Sequence, residues 1–277
     1  MGSPKMRLDV LLVNKGFYES REKAKACIMA GQVLVGGRRA DKAGSLVSSE
    51  AGVEVLGKQR YVSRGGLKLE KALQSFKIDL NGAVVLDVGA STGGFTDCAL
   101  QNGASLVYAV DVGYGQLDWR LRNSPGVVVL ERTNIRSLSG ESLSVIPDFA
   151  VIDVSFISLA KVFPRITELT APGARGVALI KPQFEAGREK VGKNGVVRDP
   201  QVHREVVLKA CAALEELSWG ILGLDYSPIK GPKGNIEFLA FFKKETASIP
   251  DLPQEAERAA REAAAVAFDR HNIWHNI

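Results

Sequence analysis

Hydrophobic spacing divides the chain into two stretches with different rhythms, and the change falls near Leu67. From Arg7 to Lys15, Leu8, Leu11 and Leu12 recur at helical intervals. A second helix is predicted after Ser20, which is placed to cap it, with Ala24, Cys27 and Ile28 turned inward and Gly31 as its stop. "QVLVGGRRA" then alternates as a strand does, turns at Gly36-Gly37 and returns from Arg38, the pattern of a tight hairpin. The strand-like "GVEVLG" closes this small α+β unit near Gly57, and "KQRYVSRGG" reads as a linker. The N-terminal domain is therefore expected over 6–57, a linker over 58–66 and a larger domain over 67–277.

Past Leu67 the pattern becomes strand, helix, strand. After a helix over Leu67–Phe76, buried strands are predicted at Val84–Val88, Leu106–Val112, Val127–Leu130, Phe149–Val154, Gly176–Ile180, Ile221–Ser227 and Ile236–Phe242. Helical segments between most of them imply a parallel sheet covered on both faces, an α/β architecture. Only "PIKGPKGN" separates the last two strands, too little for a covering helix, so they are expected to form an antiparallel hairpin at the sheet edge. The Ala-rich stretch Glu255–Phe268 is predicted to be helical and suggests no function.

Composition narrows the class. With 277 residues, 45% of them hydrophobic, the chain can fill one large core or two unequal ones. Cys27, Cys98 and Cys211 are widely spaced and include no C-x-x-C, which argues against a disulfide framework or a cysteine-based zinc site; no metal is expected, and a reducing cytoplasm is. No leader pattern opens the sequence and no apolar run reaches a membrane span, so a soluble protein without a membrane partner is expected; "MGSPK" before Met6 is set aside as a short extension. Charge is uneven: residues 1–77 hold 15 Lys/Arg against 7 Asp/Glu, a balance of +8, while the remainder holds 21 against 24. A compact basic unit beside a near-neutral larger one is the footprint of a nucleic-acid-binding attachment.

The stretch "VVLDVGASTGGFTDCAL" gives a buried strand, a turn of small residues from Gly89 to Gly94, and a helix start, where backbone amides approach a ligand. Its middle position is Ser91 where a dinucleotide fingerprint wants glycine. Asp111 lies 20 residues past the end of the turn's Ser91, suitably placed to accept both hydrogens of an adenosine ribose diol, in NAD or in a sulfonium cofactor alike. Asp87 beside the turn suits an ammonium and repels a pyrophosphate. S-adenosylmethionine is thus the expected cofactor, held by Asp87, Gly89, Ser91, Thr92, Gly93, Phe95, Thr96 and Asp111.

Four further polar residues stand where the topology collects strand ends. Asp153 closes "FAVID", Lys181 closes "GVALIK", Glu237 enters an apolar strand in "GNIEFLAFF", and Lys68 lies one helix before the first strand. A lysine ending a buried strand needs water or a partner for its ammonium. The segment "KPQFEAGREKVGKNGVVRDP", rich in glycine and cations, reads as an RNA-contacting flap or, equally, as a surface loop. An otherwise parallel sheet ending in a hairpin is the arrangement of class I (Rossmann-like) methyltransferases. No Asn-Pro-Pro-Tyr-type motif follows the fourth strand, and no cysteine ends a strand to attack a pyrimidine ring.

"RLDVLLVNKGFYESREKAKACIMAGQVLVGGR" is similar to the S-four-type RNA-binding domain. That resemblance implies an RNA face lined by Arg7, Arg21, Lys25, Arg38 and Arg39, to which Arg64 of the linker is added. Lys68, Asp153, Lys181 and Glu237, with "DVGASTGGF", resemble the Lys-Asp-Lys-Glu set of the FtsJ-like RNA ribose 2′-O-methyltransferases. With "YVSRGGLKL", "DVSFISL", "LIKPQFE" and "GNIEFL", the chain to about Lys244 resembles the TlyA family, often labelled hemolysin A. The resemblance implies catalytic roles for those four residues, S-adenosylmethionine as methyl donor, and ribosomal RNA or ribosomal subunits as partner, with a cytidine ribose as target. Ser91-Thr92 departs from the Ala-Pro common in the FtsJ pattern. Rival readings are a non-catalytic RNA-binding factor, a membrane-active haemolysin and, weakest, a nicotinamide oxidoreductase.

Overall fold

The computed structural model describes residues 4–18, 20–55, 60–231 and 233–268. The expected domain end at Gly57 and the linker residues Lys58 and Gln59 lie outside the described residues, as do 1–3 and 269–277. The chain forms two compact units, Met1–Arg60 and Tyr61–Ile277.

The first unit runs β1 (Lys5–Arg7), α1 (Leu8–Asn14), α2 (Arg21–Met29), β2 (Val33–Val35), β3 (Arg38–Ala40), β4 (Leu46–Ser48) and β5 (Val53–Val55). Leu8, Leu12, Ala24, Ile28 and Val33 form its core. Ser20 caps α2, its hydroxyl accepting from the Lys23 amide at 3.3 Å. Two expectations are corrected. Arg7 is extended rather than helical, because it pairs opposite Leu46 in a β1–β4 ladder. Cys27 is only half buried, since Ala24 and Ile28 already define the inward stripe of α2.

The second unit contains α3 (Gly65–Ser75), β6 (Val84–Val88), α4 (Gly94–Gln101), β7 (Leu106–Val110), α5 (Trp119–Arg122), β8 (Val127–Leu130), β9 (Phe149–Ile152), α6 (Phe163–Leu169), β10 (Arg175–Ile180), α7 (Pro182–Glu185), α8 (Pro200–Glu215), β11 (Trp219–Tyr226), β12 (Phe238–Lys244) and α9 (Leu252–Phe268). The unit begins ahead of Leu67. Tyr61 is buried with Leu69 and Leu73, so the second half of the expected linker is part of this core.

All seven predicted strands join one sheet in the order β11-β12-β10-β9-β6-β7-β8. The last two strands form the expected antiparallel hairpin at the sheet edge, with β11 outermost and β12 paired antiparallel with both β10 and β11. Alternation along each strand feeds two cores. Val85, Val107, Val151 and Leu239 face Leu69, Phe95 and Cys98. Leu86, Tyr108, Ile152 and Phe242 face Phe163, Val207 and Trp219. Phe242 packs edge-on against Phe163 at 5.2 Å and Trp219 at 5.1 Å, contacts worth roughly 0.5–1.5 kcal/mol each beyond burial. Ala256, Ala259, Ala260 and Ala263 are buried in the second of these cores, so α9 is Ala-rich because its inward stripe needs small residues.

The chain lays β7 and β8 on one side of β6, then crosses to lay β9 and β10 on the other. The switch point is therefore the gap between β6 and β9, where open α/β sheets bind ligands at their carboxyl ends.

Candidate active site

The turn after β6 is shaped by what it must touch. Gly89 has φ +90°, and a Cβ there would stand 2.6 Å from the carbonyl oxygen of Asp153. Both features demand glycine, and together they press the turn against the end of β9. Gly93, at φ +94°, caps α4. Behind the turn, a Cβ on Gly94 would meet the Ser63 hydroxyl at 2.4 Å and the Gly66 amide at 2.8 Å. The Val62 amide donates to Asp97 in the first turn of α4 at 2.8 Å. "YVSRGG" is thus the brace on which the turn rests, a role the linker reading missed.

Asp111 accepts from the Ser91 amide at 2.8 Å and from the Gly113 amide at 2.6 Å. Its charge therefore borders the turn, and the Ser91 amide that a pyrophosphate would need is already taken. Asp87 is fully buried: one oxygen accepts from the Thr96 hydroxyl at 2.6 Å, and the other has no partner. Burial pushes its pKa up to about 7, an effect that the Thr96 hydrogen bond opposes and Asp153 reinforces. Of the eight expected cofactor residues, Gly89, Ser91, Thr92, Gly93 and Asp111 form and border the turn. Asp87, Phe95 and Thr96 lie beneath it, with exposures of 0%, 3% and 0%. The Asp87 and Asp111 carboxyls beneath and beside the turn fit a positively charged adenosine cofactor.

The four polar residues meet as an alternating chain of charge. Lys181 Nζ lies 2.5 Å from Asp153 Oδ1, Lys68 Nζ 3.4 Å from Asp153 Oδ2, and Lys68 Nζ 2.7 Å from Glu237 Oε2. Asp153 follows β9, Lys181 follows β10, Glu237 precedes β12, and Lys68 reaches in from α3. Burial opposes the Lys68 charge, but Asp153 and Glu237 outweigh it and its pKa ends above the ordinary lysine value. Burial likewise opposes ionisation of Asp153, and Lys68 and Lys181 outweigh it, holding this carboxyl below its usual range. The set is nearly dry and carries no net charge, and the Asp153 side chain, at 18%, is its most exposed member.

The surrounding shell includes residues that the sequence did not single out. Ser155 accepts a 3.0 Å hydrogen bond from Lys181 Nζ. Asn235 donates to the Gly195 carbonyl at 2.8 Å and accepts from the Val197 amide at 3.0 Å, while His203 Nε2 meets the Val197 carbonyl at 3.0 Å. The cation-rich segment after Lys181 is thereby pinned at 195–197 beside the strand that carries Glu237. Its signal in the sequence was only the Asn-x-Glu spacing.

In the first unit, Asp9 gathers two of the expected RNA-face cations. It accepts from Arg7 Nε and Nη2 at 3.0 Å each and from Arg21 Nη2 at 3.1 Å. The Arg7 hydrogen bonds lead in holding its carboxyl down at about 2, with burial opposing and Arg21 adding to them. The guanidinium side chains stay 48% and 55% exposed, while Lys25, Arg38 and Arg39 are exposed on α2 and β3. Arg64 is exposed at the start of α3 in the second unit. Among the described residues no helix is long and apolar enough to cross a membrane, and no group of three or more His, Cys, Asp or Glu could hold a metal ion.

A sheet with this strand order, an acid-bordered glycine turn at its switch point and a Lys-Asp-Lys-Glu set beside it define a class I methyltransferase. Residues 61–244 match the FtsJ-like methyltransferase family and residues 6–53 the S4 domain. A candidate rRNA methyltransferase of Bacillus subtilis (strain 168), YqxC, is 53% identical over 86% of each chain. The 16S/23S rRNA (cytidine-2′-O)-methyltransferase TlyA of Mycobacterium tuberculosis is 45% identical over 87% of this chain and 90% of its own. A solved structure, a candidate hemolysin from Streptococcus thermophilus, superposes with a TM-score of 0.75 at 45% identity, covering 95% of this chain and 97% of that one. The chain belongs to the FtsJ-like methyltransferases and, within them, to the TlyA family.

Proposed function

We propose that this protein transfers a methyl group from S-adenosylmethionine to a ribose 2′-hydroxyl of ribosomal RNA, with cytidine the target nucleoside, as the TlyA relative's name indicates. The observation that carries the proposal is the buried chain Lys181–Asp153–Lys68–Glu237, set against the cofactor turn through Gly89. When bound, the cofactor supplies an already activated methyl on a sulfonium. The protein's work is therefore alignment and late removal of one proton. Lys181, fixed by Asp153 and Ser155, points the hydroxyl oxygen along the transfer line. Lys68 and Glu237 fix Asp153 from the far side, and as the methyl arrives Lys181 passes one proton to the Asp153 carboxylate and takes the hydroxyl proton in its place. A non-catalytic RNA-binding factor has no use for four buried charges held in mutual register. Such a substrate places the protein in the cytoplasm with ribosomal RNA or ribosomal subunits.

Ribosomal RNA incubated with the enzyme should gain one gap in its alkaline ladder, because a 2′-O-methyl group blocks attack on the adjoining phosphodiester. Label recovered on the base would overturn the reaction proposed. The cofactor has its own test. Asp111→Ala should weaken calorimetric binding of S-adenosylmethionine by roughly tenfold or more, since charge-assisted hydrogen bonds contribute about 1.5–3 kcal/mol. Preferential binding of NAD would reject the assignment.

The basic first unit is assigned to RNA. Deleting residues 1–60 should raise KM for ribosomal RNA about tenfold and flatten its salt dependence through lost counterion release. Cofactor affinity should persist, because Tyr61–Ile277 holds its own cores. Equal methylation by the shortened chain would give that unit another task.

A further inference from the structure

Beside the four-residue set lies a cleft of about 730 Å³ that the reaction proposed above does not use. Arg136, Lys161, Phe156, Phe184, Ser158 and Gln183 are among its lining residues, and among the described residues no acid lines it. Among the described residues, neither Arg136 nor Lys161 is paired with a carboxylate; the only side-chain bond of Arg136 is from Nε to Asn134. Both cations are exposed.

A loop and the short helix α7 connect the cleft to the reacting groups. One leaves Asp153 and reaches the cleft at Phe156; the other leaves Lys181 and reaches it at Gln183 and Phe184. Three residues of chain span at most about 10 Å, a distance that a nucleotide step or two of RNA covers. Phe156 on the rim is 91% exposed and held at φ +64° without being glycine. Such backbone costs of order 1–3 kcal/mol and persists where surrounding structure imposes it. Close by, the buried Glu185 carboxylate accepts from the Ser158 hydroxyl at 2.6 Å and the Leu159 amide at 2.8 Å, and the Phe184 ring stands 5.0 Å from that of Phe156.

We infer that this cleft is a subsite for the nucleotide adjoining the methylated one. Arg136 and Lys161 hold its phosphodiester, and the Phe184 side of the cleft receives its base. The charge distribution assigns the occupant. The reacting set is nearly dry and neutral overall, whereas the cleft, among the described residues, carries two cations without a carboxylate partner and no acid. The RNA backbone therefore leaves the reaction centre through the cleft. Aromatic and amide side chains beside the cations suit a base rather than a bare anion.

The inference rests on the RNA methyltransferase reading, and one set of kinetics separates the two. Wild type and the double variant Arg136→Ala/Lys161→Ala are assayed on ribosomal RNA across a salt series, with cofactor calorimetry confirming that the variant is folded. The variant should show KM raised at least about tenfold, kcat within about twofold, and a salt slope of log kcat/KM shallower by about 0.7, the value for one single-strand phosphate contact. Phe184→Leu should raise KM with the salt slope unchanged, as loss of stacking without loss of charge requires. Unchanged KM and slope in the double variant, or a loss confined to kcat, overturns the subsite. No methyl transfer to RNA by the wild type overturns the underlying reaction instead.

Discussion

Lys181→Ala is expected to lower kcat for RNA methylation by about 10³-fold, within the range assigned to a positioned proton-transfer group, while cofactor affinity stays within about twofold of wild type. The argument is geometric. Lys181 touches Asp153 and Ser155, whereas the turn that borders the cofactor is built by Gly89, Gly93 and the Asp111 hydrogen bonds. Its removal also leaves Asp153 with Lys68 as its remaining ammonium partner. Single-turnover transfer from labelled cofactor, paired with calorimetry, measures both quantities. Full activity in the variant would remove the mechanism proposed.

The second large effect concerns stability and pH. Asp87 has a pKa of about 7 in the fold, because it is fully buried, against about 3.9 in an unfolded chain. The folded state therefore binds this proton more tightly. Its contribution to stability is fully present below about pH 4, declines as pH rises towards 7, and then levels off, a difference on the order of 4 kcal/mol. Asp87→Asn deletes the titration and can keep the Thr96 hydrogen bond, at a cost of about 1–3 kcal/mol for a buried amide left unpartnered. Melting without cofactor should show the variant roughly 5 °C more stable than wild type at pH 8 and no more stable at pH 4. Parallel melting curves across that range would refute the titration. The natural carboxylate trades this stability for negative charge beneath a turn that borders a cationic cofactor.

The parts legible in the sequence share one property: their signal is local. Most strands of the large sheet are apolar runs of four or more residues, and Asp153, Lys181 and Glu237 stand out because a charge sits at the end of such a run. The parts that were not legible depend on partners far away. β1 and β4 are three residues each, too short to show alternation, and exist because they pair with each other across 40 residues of chain. The place of β12 inside the sheet is fixed by ladders to β10 and β11 together, which no hairpin signal encodes. Gly65 and Gly66 looked like linker because glycine disfavours helices. Gly66 is required by Tyr61, whose ring a Cβ there would meet at 2.3 Å, while Gly94 is itself glycine because its Cβ would stand 2.8 Å from the Gly66 amide and 3.1 Å from Gly65 Cα. Ser155, Glu185 and Asn235 were ordinary polar letters until their partners were placed.

The position of β12 bears on how the enzyme comes into being. During synthesis, β10 and β11 emerge first, with the strand that separates them still inside the tunnel. Until residue 244 is released, β10 presents an unpaired inner edge, the kind of edge that recruits other strands, and the reacting set lacks Glu237. Release of the last strand therefore closes that edge and completes the four-residue set in one step.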